Sequence, residues 1–287
     1  MNWYMSTAIM VVVVMGAVGI VFGFILAVAN KKFAMEVNPL IHEVEEVLPK
    51  GQCGACGFAG CANYAEAVVL NPDVAPNLCV PGKEAVAKLV AELTGKAAEK
   101  VEPRIAHVRC RGTGDKAVLS YNYKGVKDCK AASMLQGGPK GCKNGCVGFG
   151  NCVGVCNFGA MSMGENGLPV VDKKRCTGCG ACETACPKSV IQMIPANAKA
   201  KVDCNSKDKG AIARKLCSAA CIGCGICAKN CSYGAIEVKN NLAVVDHKIC
   251  MEKCSEATCI AKCPTGAINL AMQGQTNGNA VNLKATV

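Results

Sequence analysis

Residues 176–187 read Cys176-Thr-Gly-Cys179-Gly-Ala-Cys182-Glu-Thr-Ala-Cys186-Pro, a run of four cysteines that ends in Cys-Pro. This is the C-x2-C-x2-C-x3-C-P arrangement that binds [4Fe-4S] clusters in bacterial ferredoxins. Zinc is the alternative, but a zinc site takes two separated cysteine pairs around one tetrahedron, whereas this run suits a cluster whose fourth ligand comes from elsewhere. The run therefore predicts an iron–sulfur cluster and a role in electron transfer.

The run belongs to a longer internal repeat. Residues 168–176 (LPVVDKKRC) return as residues 242–250 (LAVVDHKIC). Such a repeat predicts two tandem modules of the bacterial 2[4Fe-4S] ferredoxin type, at residues 104–196 and 200–270. The expected fold class is α+β, and clusters are expected to replace much of the apolar core because aromatic residues make up only 4% of the chain.

The cysteine runs of the two modules predict four ligand sets. In two-cluster ferredoxins the fourth cysteine of each run crosses to the other cluster. The sets are Cys142, Cys146, Cys152 with Cys186; Cys176, Cys179, Cys182 with Cys156; Cys221, Cys224, Cys227 with Cys263; and Cys250, Cys254, Cys259 with Cys231. The runs at 142–152 and 250–259 depart from x2-x2 spacing, so an unusual cluster stays open for these two.

A fifth group of cysteines precedes the repeat. Cys53-x2-Cys56-x4-Cys61 lies on a Gly-rich loop, and Cys79 returns after a helix-like stretch at residues 62–70. These four side chains predict one [4Fe-4S] cluster in a small domain at residues 33–95, with a zinc site as the alternative. The prediction is thus five clusters held by twenty cysteines.

Four of the 24 cysteines remain outside these groups: Cys110, Cys129, Cys204 and Cys217. They too occur as a repeated pair, since Val-x-Cys precedes Cys-x-Ala-Ala in both modules. A thiol or disulfide pair within each module is the first interpretation. A sixth cluster shared by all four is the second, and inert buried cysteines are the third.

The N-terminal segment predicts a membrane anchor at residues 1–32. Residues 5–29 carry no charge and are long enough to cross a hydrocarbon core of about 30 Å. A signal peptide is the alternative, but the apolar stretch is too long and no Lys or Arg precedes it. Lys31 and Lys32 follow directly, so the positive-inside rule places the N-terminus outside and the cysteine-rich part in the cytoplasm. Residues 271–287 are polar and predict a mobile tail.

Charge and motifs exclude several functions. The formal net charge is +11, and five clusters of about −2 each offset most of it, so a nucleic-acid partner is not indicated. Gly112-x-Gly114-x2-Ala117 imitates a dinucleotide fingerprint, but residues 118–123 predict a strand where that motif needs a helix. No catalytic residues are predicted, because the chain shows no Ser/His/Asp set, paired catalytic carboxylates or P-loop.

The order of these parts, with residues 48–61 reading LPKGQCGACGFAGC after an apolar anchor, resembles the B subunits of the Rnf complexes. These complexes are membrane-bound ferredoxin:NAD+ oxidoreductases that couple electron flow to Na+ or H+ translocation. The resemblance implies flavin- and NAD-binding partner subunits, membrane-embedded partners, soluble reduced ferredoxin as donor and a single-pass location in the cytoplasmic (inner) membrane. A membrane-anchored polyferredoxin serving a hydrogenase or other dehydrogenase complex, and a zinc-bearing scaffold, stay open.

On this interpretation ferredoxin docks on the C-terminal module. The docking residues would be Lys207, Lys209, Arg214 and Lys215, which can steer an acidic partner by complementary charge. An ordinary solvated charge run is the alternative.

Overall fold

The computed structural model describes residues 2–33, 38–98, 102–254 and 257–271, without the side chains of residues 2–8 and 33. Within these ranges the chain forms a long N-terminal helix, a three-helix unit and a region of four small antiparallel sheets. Most of the expected tail lies outside the described residues.

The N-terminal helix α1 spans Asn2–Phe33. Its stretch Ile9–Lys32 has a mean hydropathy of 2.9, and it is long and apolar enough to cross a membrane, by length and composition. Large apolar side chains along it are exposed, such as Phe24 at 71%. The described part of the protein therefore offers α1 no apolar surface to pack against.

Three helices form the next unit: α2 Pro39–Val47, α3 Cys61–Leu70 and α4 Lys83–Thr94. The predicted helix at 62–70 is confirmed by α3. The unit packs around a small apolar core, whose fully covered members are Val44, Leu48, Tyr64, Ala65, Val68 and Val90. Gly95 ends α4 in the left-handed conformation at φ 67°, a common helix C-terminus.

Lys96 ties the end of α4 back onto α3. Its ammonium donates to the carbonyls of Val68, Asn71 and Val74 at 2.7, 2.6 and 2.8 Å. The last carbonyls of a helix lack partners within the helix, and a cation there also opposes the negative end of the helix dipole. Lys96 therefore belongs to the three-helix unit, one residue beyond the predicted end of that domain at residue 95.

The eight strands form four antiparallel pairs with the same connectivity twice. The pairs are β1 Arg104–Val108 with β4 Ile191–Pro195, β2 Met161–Met163 with β3 Pro169–Val171, β5 Ala200–Val202 with β8 Ile268–Leu270, and β6 Ile236–Lys239 with β7 Leu242–Val245. In each unit the first strand pairs with the last, and the two middle strands form a hairpin. We call residues 104–196 the first repeat unit and residues 200–270 the second.

Seven short helices complete the two repeat units: α5 Cys129–Met134, α6 Asn151–Gly154, α7 Ala181–Ala185, α8 Gly210–Leu216, α9 Ile226–Lys229, α10 His247–Lys253 and α11 Thr258–Ala261. The residues before α7 and α9 are Gly180 and Gly225, with φ of 80° and 73°. Glycine adopts this left-handed conformation without a steric penalty, so the chain turns sharply between a cysteine and the helix that carries the next one.

The two repeat units are joined through the backbone. The Val118 amide donates to the Leu216 carbonyl and the Ser218 amide to the Lys116 carbonyl, both at 2.9 Å. The strand predicted at residues 118–123 is wrong: within the described residues this segment makes one isolated bridge, between Leu119 and Lys140, and Ala117 just before it bridges Cys217. No helix follows Gly112, in agreement with rejection of the dinucleotide fingerprint.

A buried polar cluster reinforces this junction. His107 Nε2 lies 3.1 Å from the Val202 carbonyl and 3.4 Å from Asp203 Oδ1, and Lys201 lies 3.8 Å from the same carboxylate. Desolvation, with Lys201 nearby, lowers the pKa of His107 to about 3, so its ring is neutral and its contact with Asp203 is not ionic. Lys201 is the cation that offsets the buried Asp203 charge, and the Asn269 amide donates to Asp203 Oδ2 at 2.7 Å.

Candidate iron–sulfur sites

Four cavities, each enclosing about 320 to 390 Å³ with open solvent included, are lined by four cysteines apiece. We number these sites by their place along the protein: site 1 (Cys53, Cys56, Cys61, Cys79), site 2 (Cys156, Cys176, Cys179, Cys182), site 3 (Cys129, Cys146, Cys152, Cys186) and site 5 (Cys221, Cys224, Cys227, Cys263). Their similar size and identical donors indicate one kind of occupant. Four soft thiolate donors in an apolar pocket fit an iron–sulfur cluster.

Site 1 is built by the Gly-rich loop before α3 and by Cys79. The Gln52 side chain accepts from the Cys61 amide at 3.0 Å and so caps the start of α3, where Gly60 has no side chain to do so. The Tyr64 hydroxyl donates to the Ala75 carbonyl at 3.0 Å and fixes the loop that leads to Cys79. Burial raises the pKa of the Cys79 thiol to about 11, so a free thiolate is unfavourable there and a metal that replaces the proton fits the site.

Site 2 shows how backbone amides meet the sulfurs. The Ala106 amide donates to Cys176 Sγ at 3.4 Å and the Ala160 amide to Cys156 Sγ at 3.3 Å. Hydrogen bonds of this kind stabilise negative charge on thiolate ligands and tune the potential of a bound cluster. Gly178, at φ 76°, passes so close to β1 that an added Cβ would lie 2.3 Å from the Arg104 carbonyl oxygen.

Site 3 differs from the predicted set by one residue. Its cavity is lined by Cys129 in place of Cys142, beside Cys146, Cys152 and Cys186. The Asn151 side chain accepts from the Cys129 amide at 2.9 Å and so holds the start of α5 against α6. Burial raises the pKa of Cys146 to about 12, with smaller contributions from its neighbours Cys152 and Cys129.

Cys142 does not line the cavity of site 3. The Gly145 amide donates back to the Cys142 carbonyl at 3.1 Å, which closes a turn between Cys142 and Cys146. Burial raises the pKa of Cys142, and the nearby Cys110 thiol raises it further. The x3 and x5 spacings allow this turn, so Cys142 meets Cys110 and leaves site 3 to Cys129.

Site 4 is a set of four cysteines at the junction of the two repeat units: Cys110, Cys142, Cys204 and Cys217. A Cβ added to Gly112 would lie 3.6 Å from Cys110 Sγ and 3.7 Å from Cys217 Sγ, so these sulfurs flank one glycine. Burial raises the pKa of Cys204 to about 11, with Cys142 among the thiols that contribute. Each repeat unit supplies two of the four sulfurs, and the bridge between Ala117 and Cys217 positions the last of them.

The expected pairing of the leftover cysteines is therefore wrong for Cys110 and Cys129 of the first module, whereas Cys204 and Cys217 of the second module belong to one site. None of the 24 cysteines, all of which lie in the described ranges, forms a disulfide bond, and Cys110 lies beside Cys217 of the other repeat unit. The structure is closer to the alternative in which both modules share a sixth set of cysteines, but Cys142 takes the place of Cys129 in that set. One signal in the sequence pointed this way: 24 cysteines are enough for six sets of four.

Sites 5 and 6 lie within the second repeat unit. The structure brings together Cys221, Cys224, Cys227 and Cys263 as site 5. Site 6 consists of Cys231, Cys250, Cys254 and Cys259, which interact with one another in the core of the second repeat unit. Burial raises the pKa of Cys259 to about 11, followed by contributions from Cys250, Cys231 and Cys254. The longer spacing of the 250–259 run is absorbed by α10 and does not separate its cysteines.

The six sites follow one another in single file. Each neighbouring pair of sites is linked by two cysteines that interact directly or electrostatically: Cys53 with Cys179, Cys182 with Cys152, Cys146 with Cys110, Cys204 with Cys221, and Cys227 with Cys259. One of these pairs is joined by a hydrogen bond, because the Cys146 amide donates to Cys110 Sγ at 3.4 Å. Gly51 also packs on the Phe158 ring, which joins site 1 to site 2.

The spacing of the thiols bears on the zinc alternative. Tetrahedral zinc with bonds of about 2.3 Å requires sulfurs about 3.8 Å apart. Within the described residues, no three His, Cys, Asp or Glu side chains converge closely enough to hold a single metal ion. The cysteines of sites 1, 2, 3 and 5 instead surround cavities, as ligands to a multi-iron cluster do.

Known proteins share these features. Residues 48–81 match the FeS family of Fe-S cluster domains, and residues 169–192 match the 4Fe-4S binding domain family. The chain is 62% identical to the B subunit of the proton-translocating ferredoxin:NAD(+) oxidoreductase complex of Clostridium ljungdahlii, over 94% of this chain and 95% of the relative.

Two further relatives cover most of the chain. It is 43% identical to the B subunit of the ion-translocating oxidoreductase complex of Methanosarcina acetivorans, over 92% of this chain and 99% of the relative. It is 41% identical to the B subunit of the Na(+)-translocating ferredoxin:NAD(+) oxidoreductase complex of Acetobacterium woodii, over 92% of this chain and 79% of the relative.

Proposed function

The chain belongs to the B-subunit family of the ion-translocating ferredoxin:NAD+ oxidoreductase (Rnf) complexes, and from this membership we propose that it carries electrons along six [4Fe-4S] clusters in single file. As a member of this family it is an iron–sulfur electron-transfer subunit of a multi-subunit, ion-translocating oxidoreductase. The proposal adds the number of clusters, their ligands and their order. It also assigns residues 104–196 and 200–270 to two tandem ferredoxin-type modules.

The observation that carries the proposal is the distribution of all 24 cysteines over six sets of four. Cavities define sites 1, 2, 3 and 5, while the mutual interactions of their thiols define sites 4 and 6. The proposed ligands are the members of these six sets. Only site 4 takes ligands from both modules, so it is the one link between sites 1 to 3 and sites 5 and 6.

The residues of the chain have three tasks in this role. A bound [4Fe-4S] cluster supplies a one-electron redox centre. The cysteines fix the order of the sites, and amides such as those of Ala106 and Gly112 donate to ligand sulfurs and stabilise their charge. Apolar walls such as Tyr64 and Phe158 keep water from sites 1 and 2.

The place of the chain in the complex follows from α1. We assign α1 as a single-pass anchor in the cytoplasmic membrane, with the N-terminus outside and the cysteine-rich part on the cytoplasmic side, because Lys31 and Lys32 follow the apolar stretch. Site 1 then lies nearest the membrane along the chain. Soluble reduced ferredoxin is the proposed donor, and flavin-, NAD-binding and membrane-embedded subunits are the proposed partners, in which Na+ or H+ translocation takes place.

Iron analysis combined with a redox titration tests the six-site proposal. The anaerobically purified chain should hold about 24 irons with equal acid-labile sulfide and no zinc, and a variant with Cys110→Ala and Cys217→Ala should hold about 20. About 20 irons in both proteins would show that site 4 holds no cluster. Stoichiometric zinc would contradict the electron-transfer role itself.

A further inference from the structure

A wide polar groove lies at the junction of the two modules. It encloses about 960 Å³, open solvent included, and residues of both modules form its walls. Asn205 crosses the junction beside it, because its side-chain amide donates to the Lys188 carbonyl at 3.0 Å. The two modules thus form one fixed surface here.

The charged residues that line the groove all carry the same sign: Arg109, Lys143, Lys188, Lys207 and Lys239. No carboxylate lines it, although Glu237 pairs with Lys239 outside the lining and Asp208 follows Lys207 in the chain. Lys143, Lys207 and Lys239 are exposed at the rim. Within the described ranges, Lys143 and Lys207 make no ion pair, so their charge is open to a partner.

The two cations at the floor face cluster ligands. Lys188 interacts with Cys142 of site 4 and Cys186 of site 3, and Arg109 interacts first with Glu183 and then with Cys204 of site 4 and Cys186. The floor cations therefore offset charge at the clusters, whereas the rim lysines are too exposed to be needed for that purpose.

The framework that carries these cations is rigid. The Lys188 ammonium donates to the Lys143 carbonyl and the Arg109 guanidinium to the Ser189 carbonyl, both at 2.8 Å. The Asn241 side chain donates to the Lys207 carbonyl at 3.1 Å and ties the second wall to the turn between β6 and β7. A surface with a fixed positive pattern favours a partner with a fixed negative one.

We propose that this groove is the docking site of an acidic electron-carrier protein, the ferredoxin of the proposed function, on which the inference rests. Docking would place the carrier's cluster beside sites 3 and 4, at the middle of the file and not at its C-terminal end. One electron would then leave the reduced carrier, which is oxidised, and reduce one centre at site 3 or 4, with no bond or proton transferred. A small anion fits less well, because the rim lysines are spread over two modules.

Charge reversal at the rim tests whether the carrier docks at the groove or at helix α8. The test variant carries Lys143→Glu, Lys207→Glu and Lys239→Glu in the intact complex. The matched control carries Lys209→Glu, Arg214→Glu and Lys215→Glu, which make the same change of net charge on the surface that the sequence favoured. Both must first show the iron content of the unmodified complex.

The readout is the Kd for a 2[4Fe-4S] ferredoxin, measured at low and at high salt. The rim variant should bind at least about tenfold more weakly at low salt and lose most of its salt dependence, while the α8 variant should change by less than about twofold. Equal weakening in both variants, or weakening in the α8 variant alone, would overturn the docking site.

Two arms separate this inference from the proposed function. If ferredoxin binds the rim variant as tightly as the unmodified complex and reduces it as fast, only the docking site is wrong. If ferredoxin neither binds nor reduces the unmodified complex while dithionite does, the proposed donor is wrong as well. A third outcome would also overturn the inference. If the unmodified complex binds inorganic pyrophosphate saturably, and the rim variant loses this binding but keeps its affinity for ferredoxin, the groove is a small-anion site.

Discussion

Two cysteines at the residue scale, Cys129 and Cys142, decide how many clusters the chain can hold. The spacing of the 142–152 run placed Cys142 in site 3, and the structure places Cys129 there. Cys142 is thereby released to complete site 4 with Cys110, Cys204 and Cys217. If Cys142 lay in site 3 beside Cys129, site 4 would contain only Cys110, Cys204 and Cys217.

Alanine substitutions should separate the two cysteines. We expect Cys129→Ala to perturb the paramagnetic signal of site 3 and Cys142→Ala to perturb that of site 4, each with loss of at most about four irons. Combining Cys142→Ala with Cys110→Ala should cause no further loss, because both residues serve one site. Further loss of about four irons in that double variant would place the two cysteines in different clusters.

Lys96 gives a second residue-scale prediction. Lys96→Met should destabilise α3 by about 2 kcal/mol, because three carbonyls lose a charged donor while the apolar stem is kept. Hydrogen exchange of the α3 amides measures this change. Lys88→Met is the control, since Lys88 forms only an exposed pair with Glu84, and it should cost less than about 0.5 kcal/mol. Equal protection of α3 in both variants would contradict the role of Lys96.

The cysteine runs were informative about some sites and not others. Local spacing predicted which cysteines meet in sites 1, 2, 5 and 6, because each run is short and its crossing cysteine follows a known rule. Site 4 could not be predicted in this way. Its sulfurs come from four segments, and their meeting depends on the backbone pairing of residues 116–118 with residues 216–218.

At the scale of elements, glycine-controlled turns set the positions of the cysteines. Gly178 and Gly180 both adopt left-handed backbone conformations in the loop that carries Cys179, at φ 76° and 80°. Only Gly178 lies against another element, since a Cβ there would meet the Arg104 carbonyl of β1, while a Cβ on Gly180 would meet no atom within 4 Å.

This difference predicts unequal effects of alanine. Gly178→Ala should abolish cluster binding at site 2, because the added Cβ forces β1 away from the loop that carries Cys176. The variant should lose about four irons and one paramagnetic signal. Gly180→Ala should keep the full iron content, since it carries only the strain of a left-handed alanine, about 1 kcal/mol. Retention of the site 2 signal in Gly178→Ala would contradict the close approach.

Elements with strong local signals were predicted well. The helix predicted at 62–70 is present as α3. The strand at 118–123 was not found, although its apolar alternation is as clear. In the structure this segment turns toward α8 and site 4, and its few backbone bonds go to residues far along the chain.

At the scale of the whole molecule, the negative charge of the clusters balances the positive charge of the chain. Six clusters of about −2 each bring about −12 against the formal charge of +11. The cations at the groove floor, Arg109 and Lys188, show this balance locally at sites 3 and 4. Loss of the clusters would leave the chain strongly positive, so the apo-protein should be less stable and more prone to aggregate with anions.

The anchor gives a prediction at the same scale. A chain that starts at Asn38 should appear in the soluble fraction with the iron-to-protein ratio of the full chain, because the exposed side chains of α1 support no other part of the described protein. Fractionation followed by iron analysis measures this. A soluble but iron-depleted product would show that α1 is needed to build the sites.

Anomalous X-ray diffraction at the iron edge, on anaerobic crystals of the chain or its complex, tests the single-file arrangement most directly. Six separate four-iron peaks are expected, one of them bounded by Cys110, Cys142, Cys204 and Cys217. Five peaks, with the sulfur of Cys142 on the same peak as those of Cys146, Cys152 and Cys186, would contradict it.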